Sequence, residues 1–172
     1  MRAGYNLVLF VVVLFSGAGV AQAGIGVGVA VMSEFPVGDF ERTAGFGYGG
    51  MGGVEVGGEN LHLTARSGYL MHLERRDHEI RLVPVFGGLK ASAGEGSVYI
   101  AGELGPVFTR SEYVGPVLLG QNKNEENLGW SIGVGSAAGA LDIRFMFNAW
   151  DARHLSRSMA IGLSFGFTAR TY

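Results

Sequence analysis

The sequence predicts an all-β protein, and three observations lead to this fold class. Large apolar residues alternate with small or polar residues between turn-forming clusters, which is the period of a β-strand. No segment keeps the i, i+3, i+4, i+7 spacing of an amphipathic helix. Glycine accounts for 30 of the 172 residues without a G-X-Y repeat, which excludes a collagen-like chain, and the 48% hydrophobic content argues against disorder.

The composition also excludes several functional classes. The chain has no cysteine, which rules out a disulfide scaffold, a thiolate zinc site and a lipid-modified cysteine. Its 13 basic and 15 acidic residues give a formal net charge of −2 without a basic run, so we expect no nucleic-acid partner. The length fits one ordinary domain. We expect neither a cofactor nor a metal.

The first 23 residues have the pattern of a secretory signal peptide. Arg2 supplies the positive end, Leu7 to Phe15 form an apolar run, and Ala21 to Ala23 have the small-x-small form that a signal peptidase accepts. A membrane-spanning helix needs about 20 apolar residues, roughly twice this run. We therefore predict a signal peptide at residues 1–23 and one folded domain at residues 24–172.

Eight segments of the predicted domain alternate large apolar residues with small or polar ones. In chain order these segments are Ile25 to Val31, Phe46 to Val56, Leu61 to Met71, Ile80 to Leu82, Val98 to Leu104, Leu128 to Val134, Leu141 to Phe147 and Ile161 to Phe167. Most runs last about 8 to 12 residues, close to the 9 to 11 that a tilted strand needs to cross a bilayer.

The two faces of these strands decide the architecture. One face carries large apolar residues, whereas the other is mostly Gly, Ala and Ser with a few ionisable residues. The second face is a poor surface for water but suits the cramped interior of a narrow barrel. We therefore predict an antiparallel transmembrane up-and-down β-barrel of about eight strands, with apolar side chains pointing to lipid.

The predicted connections differ in length on the two sides of the barrel. If the N-terminus begins in the periplasm, the outer connections are roughly Ser33 to Thr43, Glu74 to His78, Thr109 to Asn127 and Asp151 to Arg157. The inner connections are short and contain glycine. Long outer loops and short inner turns are typical of outer-membrane barrels.

The last predicted strand carries a family resemblance. Residues Ala160 to Phe167 are similar to the C-terminal β-signal of outer-membrane proteins, with Gly162 preceding the aromatic pair Phe165 and Phe167. Residues 24–172 as a whole resemble the small outer-membrane β-barrel family of Gram-negative bacteria. The resemblance implies recognition by the barrel-assembly machinery, with outer-membrane lipids and lipopolysaccharide as partners, and we expect a monomer.

Six ionisable residues are predicted to point into the lumen. They are Glu55, Arg66, Arg81, Glu103, Asp142 and Arg144. Charges in a narrow lumen are costly unless they are paired, so the balance of three acids and three bases predicts an ion-pair network that plugs the barrel. This network favours a structural or surface-interaction role, with Thr109 to Asn127 as the main exposed loop.

Two other functions remain open from the sequence. A narrow pore for small solutes is one, in which the lumen pairs exchange partners. A lipid-modifying hydrolase is the other, because His154 and Ser156 would point to one side of an extended chain as base and nucleophile, with Asp151 as an orienting acid. The segment slightly resembles the His-x-Ser element of outer-membrane lipid A deacylases.

Overall fold

In the computed structural model, residues 24–58, 60–75, 78–93, 98–113 and 123–171 are described. The predicted signal peptide, residues 1–23, lies outside them. Eight strands make up most of this part of the chain: β1 Gly24–Pro36, β2 Gly47–Gly57, β3 Leu61–Arg75, β4 His78–Ala93, β5 Val98–Tyr113, β6 Lys123–Ala138, β7 Leu141–Ala149 and β8 Met159–Thr171. Two single-turn 3-10 helices, η1 at Phe40–Arg42 and η2 at Leu155–Arg157, lie in connections.

The strands form one closed antiparallel barrel in chain order, which confirms the predicted architecture. Each strand pairs with its sequence neighbours, and β8 pairs with β1, where Phe167 lies opposite Val29. Closure gives every strand a partner on both sides, although the first residues of β6, before Trp130, pair with β5 alone. The described part of the chain contains no helix that is both long and apolar enough to cross a membrane.

Burial in this barrel is inverted relative to a water-soluble protein. Large apolar side chains face outward on all eight strands; Phe167 is 63% exposed and Val29 66%. The lumen side is buried, with Leu70 at 0%. Because an eight-stranded barrel has an interior just wide enough for side chains, its inner face is filled by them, with glycines beside several of the larger ones.

The connections between strands lie alternately at the two ends of the barrel, the loop end and the turn end. The loop end carries the β1–β2, β3–β4, β5–β6 and β7–β8 connections, and the turn end carries the other three together with Gly24 and Thr171. At the turn end, Gly139 joins β6 to β7 with a φ of 60°, a conformation that favours glycine.

Strand ends differ from the predicted loop boundaries mainly at the loop end. Strand β1 continues to Pro36, so the predicted first connection begins too early at Ser33. Strand β5 reaches Tyr113 and β6 begins at Lys123, while residues 114–122 of the predicted long loop lie outside the described residues. The strands β3 to β6 have 15 or 16 residues, more than a bilayer crossing requires.

Candidate functional site: the lumen and the loop-end mouth

Glu103 is the centre of a charged network in the turn-end half of the lumen. Its Oε2 lies 3.1 Å from Arg144 Nη1 and 3.4 Å from Arg66 Nη1. Thr64 Oγ1 donates a hydrogen bond of 3.3 Å to its other carboxylate oxygen. Arg144 Nε also donates to the hydroxyl of Tyr99 at 3.3 Å. The carboxylate is 1% exposed and therefore depends on these donors for the solvation it has lost.

Lys90 joins a second group of acids to the first. Its Nζ lies 3.3 Å from Glu55 and 3.1 Å from Asp142, and 4.0 Å from the centroid of the Tyr99 ring. The Tyr99 hydroxyl donates to Asp142, and Arg170 Nε donates to Glu55 at 2.6 Å. The network thus links β2 to β3, β4, β5, β7 and β8, and holds the barrel wall together from inside.

The structure brings five of the six predicted lumen residues into this network, namely Glu55, Arg66, Glu103, Asp142 and Arg144. The prediction for Arg81 is wrong. Arg81 lies on the outer wall, on the same face of β4 as the exposed Val83, and pairs with Glu79 at 2.7 Å and with Glu112 at 3.8 Å. Large apolar residues occupy both faces of β4, so residue size does not tell which face is inside.

Sequence reasoning also missed two lumen cations, Lys90 and Arg170. Lys90 is an even number of residues from Leu82, which is 1% exposed, so correct placement of Leu82 inside predicts Lys90 inside as well. Arg170 continues the alternation of Gly162, Ser164 and Gly166 along β8. This alternation is visible in the sequence, but the last strand was expected to end at Phe167, before Arg170.

Glycines on the inner face make room for the charged side chains. A Cβ added at Gly26 would lie 2.6 Å from Glu55 Cγ, and one at Gly53 would lie 2.6 Å from Arg66 Cγ. A glycine on one strand thus accommodates the long charged side chain of a neighbouring strand. This pairing explains why so many inward positions are glycine.

An apolar layer fills the lumen beyond the charged network. Its buried members include Met32, Met51, Leu70, Leu82, Phe86, Val107 and Met146. They come from β1 to β5 and β7. This layer separates the charged network from the loop end, and a cavity of about 70 Å³ lies beside Arg66 and Arg144.

A buried polar cluster lies nearer the loop end. Glu34 and His72 are both 0% exposed, with Oε2 and Nε2 3.4 Å apart, and the amide of Asn148 donates to Glu34. The ring of Phe40, from η1, packs edge-on against the imidazole of His72 with centroids 5.2 Å apart. Glu34 was assigned to a loop from sequence, so this cluster was missed.

The β7–β8 connection holds the residues of the predicted hydrolase site. His154 Nδ1 lies 2.8 Å from Asp151 Oδ2, so the acid does orient the imidazole. Ser156, however, lies in η2, and the extended chain on which the pairing of His154 with Ser156 was based is not present. His154 precedes this helix, and the three residues per turn of the helix rotate Ser156 away from the side that it would take in an extended chain.

The residues of the predicted assembly signal lie on β8, at the seam where the barrel closes. Gly162 faces the lumen beside Asn148 and Glu34, whereas Phe165 and Phe167 face outward and are more than half exposed. Among the described residues, no group of three His, Asp or Glu side chains is placed to hold a metal ion.

These features define a class: a small, closed, eight-stranded β-barrel with an apolar exterior and a packed interior, the fold of small outer-membrane barrels. Solved structures with this fold include Ail, the attachment invasion locus protein of Yersinia pestis, in complex with the heparin analogue sucrose octasulfate. That match has a TM-score of 0.60 and 12% identity over 87% of this chain and 97% of that chain.

Two further solved structures resemble the barrel. The Yersinia pestis outer membrane protein Ail in a phospholipid bilayer nanodisc matches with a TM-score of 0.55 and 10% identity, over 86% of this chain and 100% of that chain. Neisserial surface protein A (NspA) matches with a TM-score of 0.55 and 12% identity, over 86% and 96%. No family model matches the sequence, and no curated protein matches it.

Proposed function

We propose that this protein is an integral outer-membrane β-barrel of a Gram-negative bacterium, with a closed lumen and a surface-interaction role at its loop end. The inverted burial carries this proposal. A belt of exposed Val, Ile, Leu and Phe side chains surrounds the barrel, and lipid is the solvent in which such a surface is stable. The solved structures of the same fold include an outer-membrane protein in a bilayer and a surface protein.

The same proposal includes a route to the outer membrane. Residues 1–23 act as a cleavable signal peptide, and Gly162, Phe165 and Phe167 act as the signal read by the barrel-assembly machinery. Phe165 and Phe167 are exposed on the seam strand, where another protein can reach them before the barrel closes. The mature protein is a monomer in contact with outer-membrane lipids and lipopolysaccharide.

The closed lumen is supported by the two layers that fill it. The charged network around Glu103 occupies the turn-end half, and the apolar layer that contains Leu70 and Phe86 lies next to it. Ions avoid an apolar constriction because it does not replace their hydration shell. We therefore propose that the barrel does not conduct. We also propose that it has no enzymatic activity of its own, because Ser156 lies in η2 and not in an extended chain beside His154.

Fractionation and conductance test this proposal. We expect the mature chain in the outer-membrane fraction, with migration in detergent gels that changes on boiling, because closed barrels resist unfolding in detergent. Single-channel recordings in planar bilayers should show no conductance steps. Recovery in the soluble periplasmic fraction without detergent would disprove the membrane location, and regular steps would favour the pore.

A further inference from the structure

The cavity of about 70 Å³ lies inside the charged network of the lumen. Its charged lining consists of three cations, Arg66, Lys90 and Arg144, and two acids, Glu55 and Asp142. Glycines of β1, β2 and β8 form part of its wall and leave room beside these side chains. Since a buried water needs roughly 10 to 15 Å³, the cavity can hold several waters, or one monovalent ion with part of its hydration shell.

The two acids of the cavity are already occupied by donors of the network. Glu55 accepts from Arg170 with one oxygen and from Lys90 with the other. Asp142 accepts from Lys90 with one oxygen and from the Tyr99 hydroxyl with the other. Each of the four carboxylate oxygens therefore has a donor. Lys90 and Arg170 also balance the two acids in charge, so this part of the network is neutral.

Arg66 and Arg144, in contrast, share a single acid. Their Nη1 atoms lie 3.4 and 3.1 Å from the same oxygen of Glu103, and the other oxygen accepts from Thr64. Two positive charges therefore face one negative charge in this part of the network. Such an excess is costly in the interior of a barrel, where each ion has lost most of its hydration.

The two guanidinium groups also have N–H donors to spare. Each guanidinium carries five N–H donors. The contacts with described residues use one nitrogen of Arg66, toward Glu103, and two of Arg144, toward Glu103 and the Tyr99 hydroxyl. Arg66 lines the cavity and keeps 16% of its side chain accessible. Spare donors and excess positive charge therefore coincide at the cavity.

We propose that this cavity binds one small monovalent inorganic anion, of the size of chloride, in contact with Arg66 and Arg144. The charge selects a monovalent anion, because the excess is one positive charge and a divalent anion would reverse it. The volume excludes sugars and large organic anions. The apolar layer that contains Leu70 lies on the loop-end side, so the anion reaches the site from the turn end and does not cross the lumen.

The test uses the full mature chain refolded in detergent and unfolded with urea, with sodium chloride replacing sodium gluconate at constant ionic strength. Gluconate is too large for the cavity. Because an anion that binds only the folded barrel stabilises it, the unfolding midpoint should rise as chloride increases. Arg66→Met removes the excess charge and should abolish this rise. Arg81→Met is the matched control on the outer wall, and its midpoint should rise as in the parent.

A second variant changes the anion affinity in the opposite direction. Glu103→Gln leaves both arginines without their shared acid, so the rise should begin at about tenfold lower chloride concentration than in the parent. A general effect of salt on the barrel would not move in opposite directions in Arg66→Met and Glu103→Gln. Bromide, which has a similar size and scatters X-rays anomalously, should lie beside Arg66 and Arg144 in crystals of the parent.

A rise that is lost in Arg66→Met, kept in Arg81→Met and shifted to lower chloride in Glu103→Gln supports the site. A parent midpoint that does not depend on chloride would mean that water alone fills the cavity, and an equal rise in all variants would mean a general salt effect; either result overturns the proposal. If Arg66→Met does not fold, an unshifted onset in Glu103→Gln or a bromide peak elsewhere overturns it.

The anion site goes beyond the proposed function and is tested separately from it. The urea experiment needs only a folded barrel, which heat-modifiable migration of each variant demonstrates. A parent chain that fractionates with outer membranes but shows no chloride dependence would disprove the anion site alone. A chain recovered in the soluble fraction would disprove the membrane location and leave the chloride result to be judged by itself.

Discussion

Replacing Glu103 with Gln should destabilise the barrel strongly, because it removes the acid that holds two buried cations. Glu103 is 1% exposed, and the Arg144 and Arg66 guanidinium groups lie 3.1 and 3.4 Å from one of its oxygens. Breaking a buried pair by removing one partner typically costs about 3 to 5 kcal/mol. The cavity of about 70 Å³ beside both arginines has room for water, so we expect a cost of about 3 kcal/mol, the lower end of this range.

Urea titration in detergent, followed by tryptophan fluorescence, measures this loss. A second change, Arg144→Met, should recover part of it in the double variant, because one of the two orphaned charges goes with it. Arg81→Gln is the control, since Arg81 pairs with Glu79 and Glu112 on the outer wall, and its midpoint should match that of the parent. Strictly additive losses for Glu103→Gln and Arg144→Met would refute the coupling, and an equal loss in Arg81→Gln would refute the distinction between wall and lumen.

Three further predictions concern the outer face, the packing of the lumen and the loop end. Phe145→Arg places a charge on the lipid face in mid-strand and should lower the free energy of unfolding by about 2 to 4 kcal/mol in lipid vesicles, whereas Phe145→Leu should lower it much less. Gly47→Ala should impair folding because its Cβ would lie 2.6 Å from the imidazole of His72, whereas Gly102→Ala should be tolerated because nothing lies within 4 Å of its Cβ. Burial opposes ionisation of Asp151, but hydrogen bonds within its own loop outweigh burial and lower the pKa of Asp151 in the folded loop. The ionised carboxylate therefore contributes its full stabilisation of the loop above the unfolded pKa and loses it as the pH falls through the folded pKa. Side-chain NMR signals of the β7–β8 connection should report this acid transition. Asp151→Asn should abolish the transition.

The same experiments can contradict the structural interpretation. Equal stability of Phe145→Arg and the parent would mean that the inside and outside faces are reversed. Normal folding of Gly47→Ala would show that the imidazole of His72 is not held tightly against Gly47. An acid transition that persists in Asp151→Asn would belong to another group.

The fold could be predicted from sequence because strand alternation is a local property. A run such as Leu141 to Phe147 shows its two faces without reference to any other part of the chain, and the small, glycine-rich second face already excludes a water-facing surface. Closure of eight such strands follows because a lipid-exposed sheet edge leaves backbone groups without partners. The number of strands and their order along the barrel therefore needed no tertiary information.

The lumen contacts depended on information that alternation does not contain. Both faces of β4 carry large apolar residues, so whether Arg81 or Lys90 points inward depends on which face of β4 packs against Met51, Leu70 and Val107 from other strands. The partners of Glu103 depend on the stagger between strands, which closure of the barrel imposes. Arg81 and Lys90 lie on opposite faces of β4, so placing Leu82 inside puts Arg81 outside the barrel and Lys90 in the lumen.

The sequence by itself determined the all-β class, the apolar outer surface and five members of the charged network, since each follows from the side-chain period of a single strand. Tertiary structure decided the pairs. Glu34 meets His72 and Asn148, and Lys90 meets Glu55 and Asp142, only because the closed barrel brings distant strands to the same height. It also produced a cleft at the loop end, because η1, the tips of β4 to β6 and the β7–β8 connection meet there only after the strands have closed. The physical reason is that alternation fixes the direction of a side chain, whereas its partner is fixed by the register and stagger of strands that are far apart in sequence.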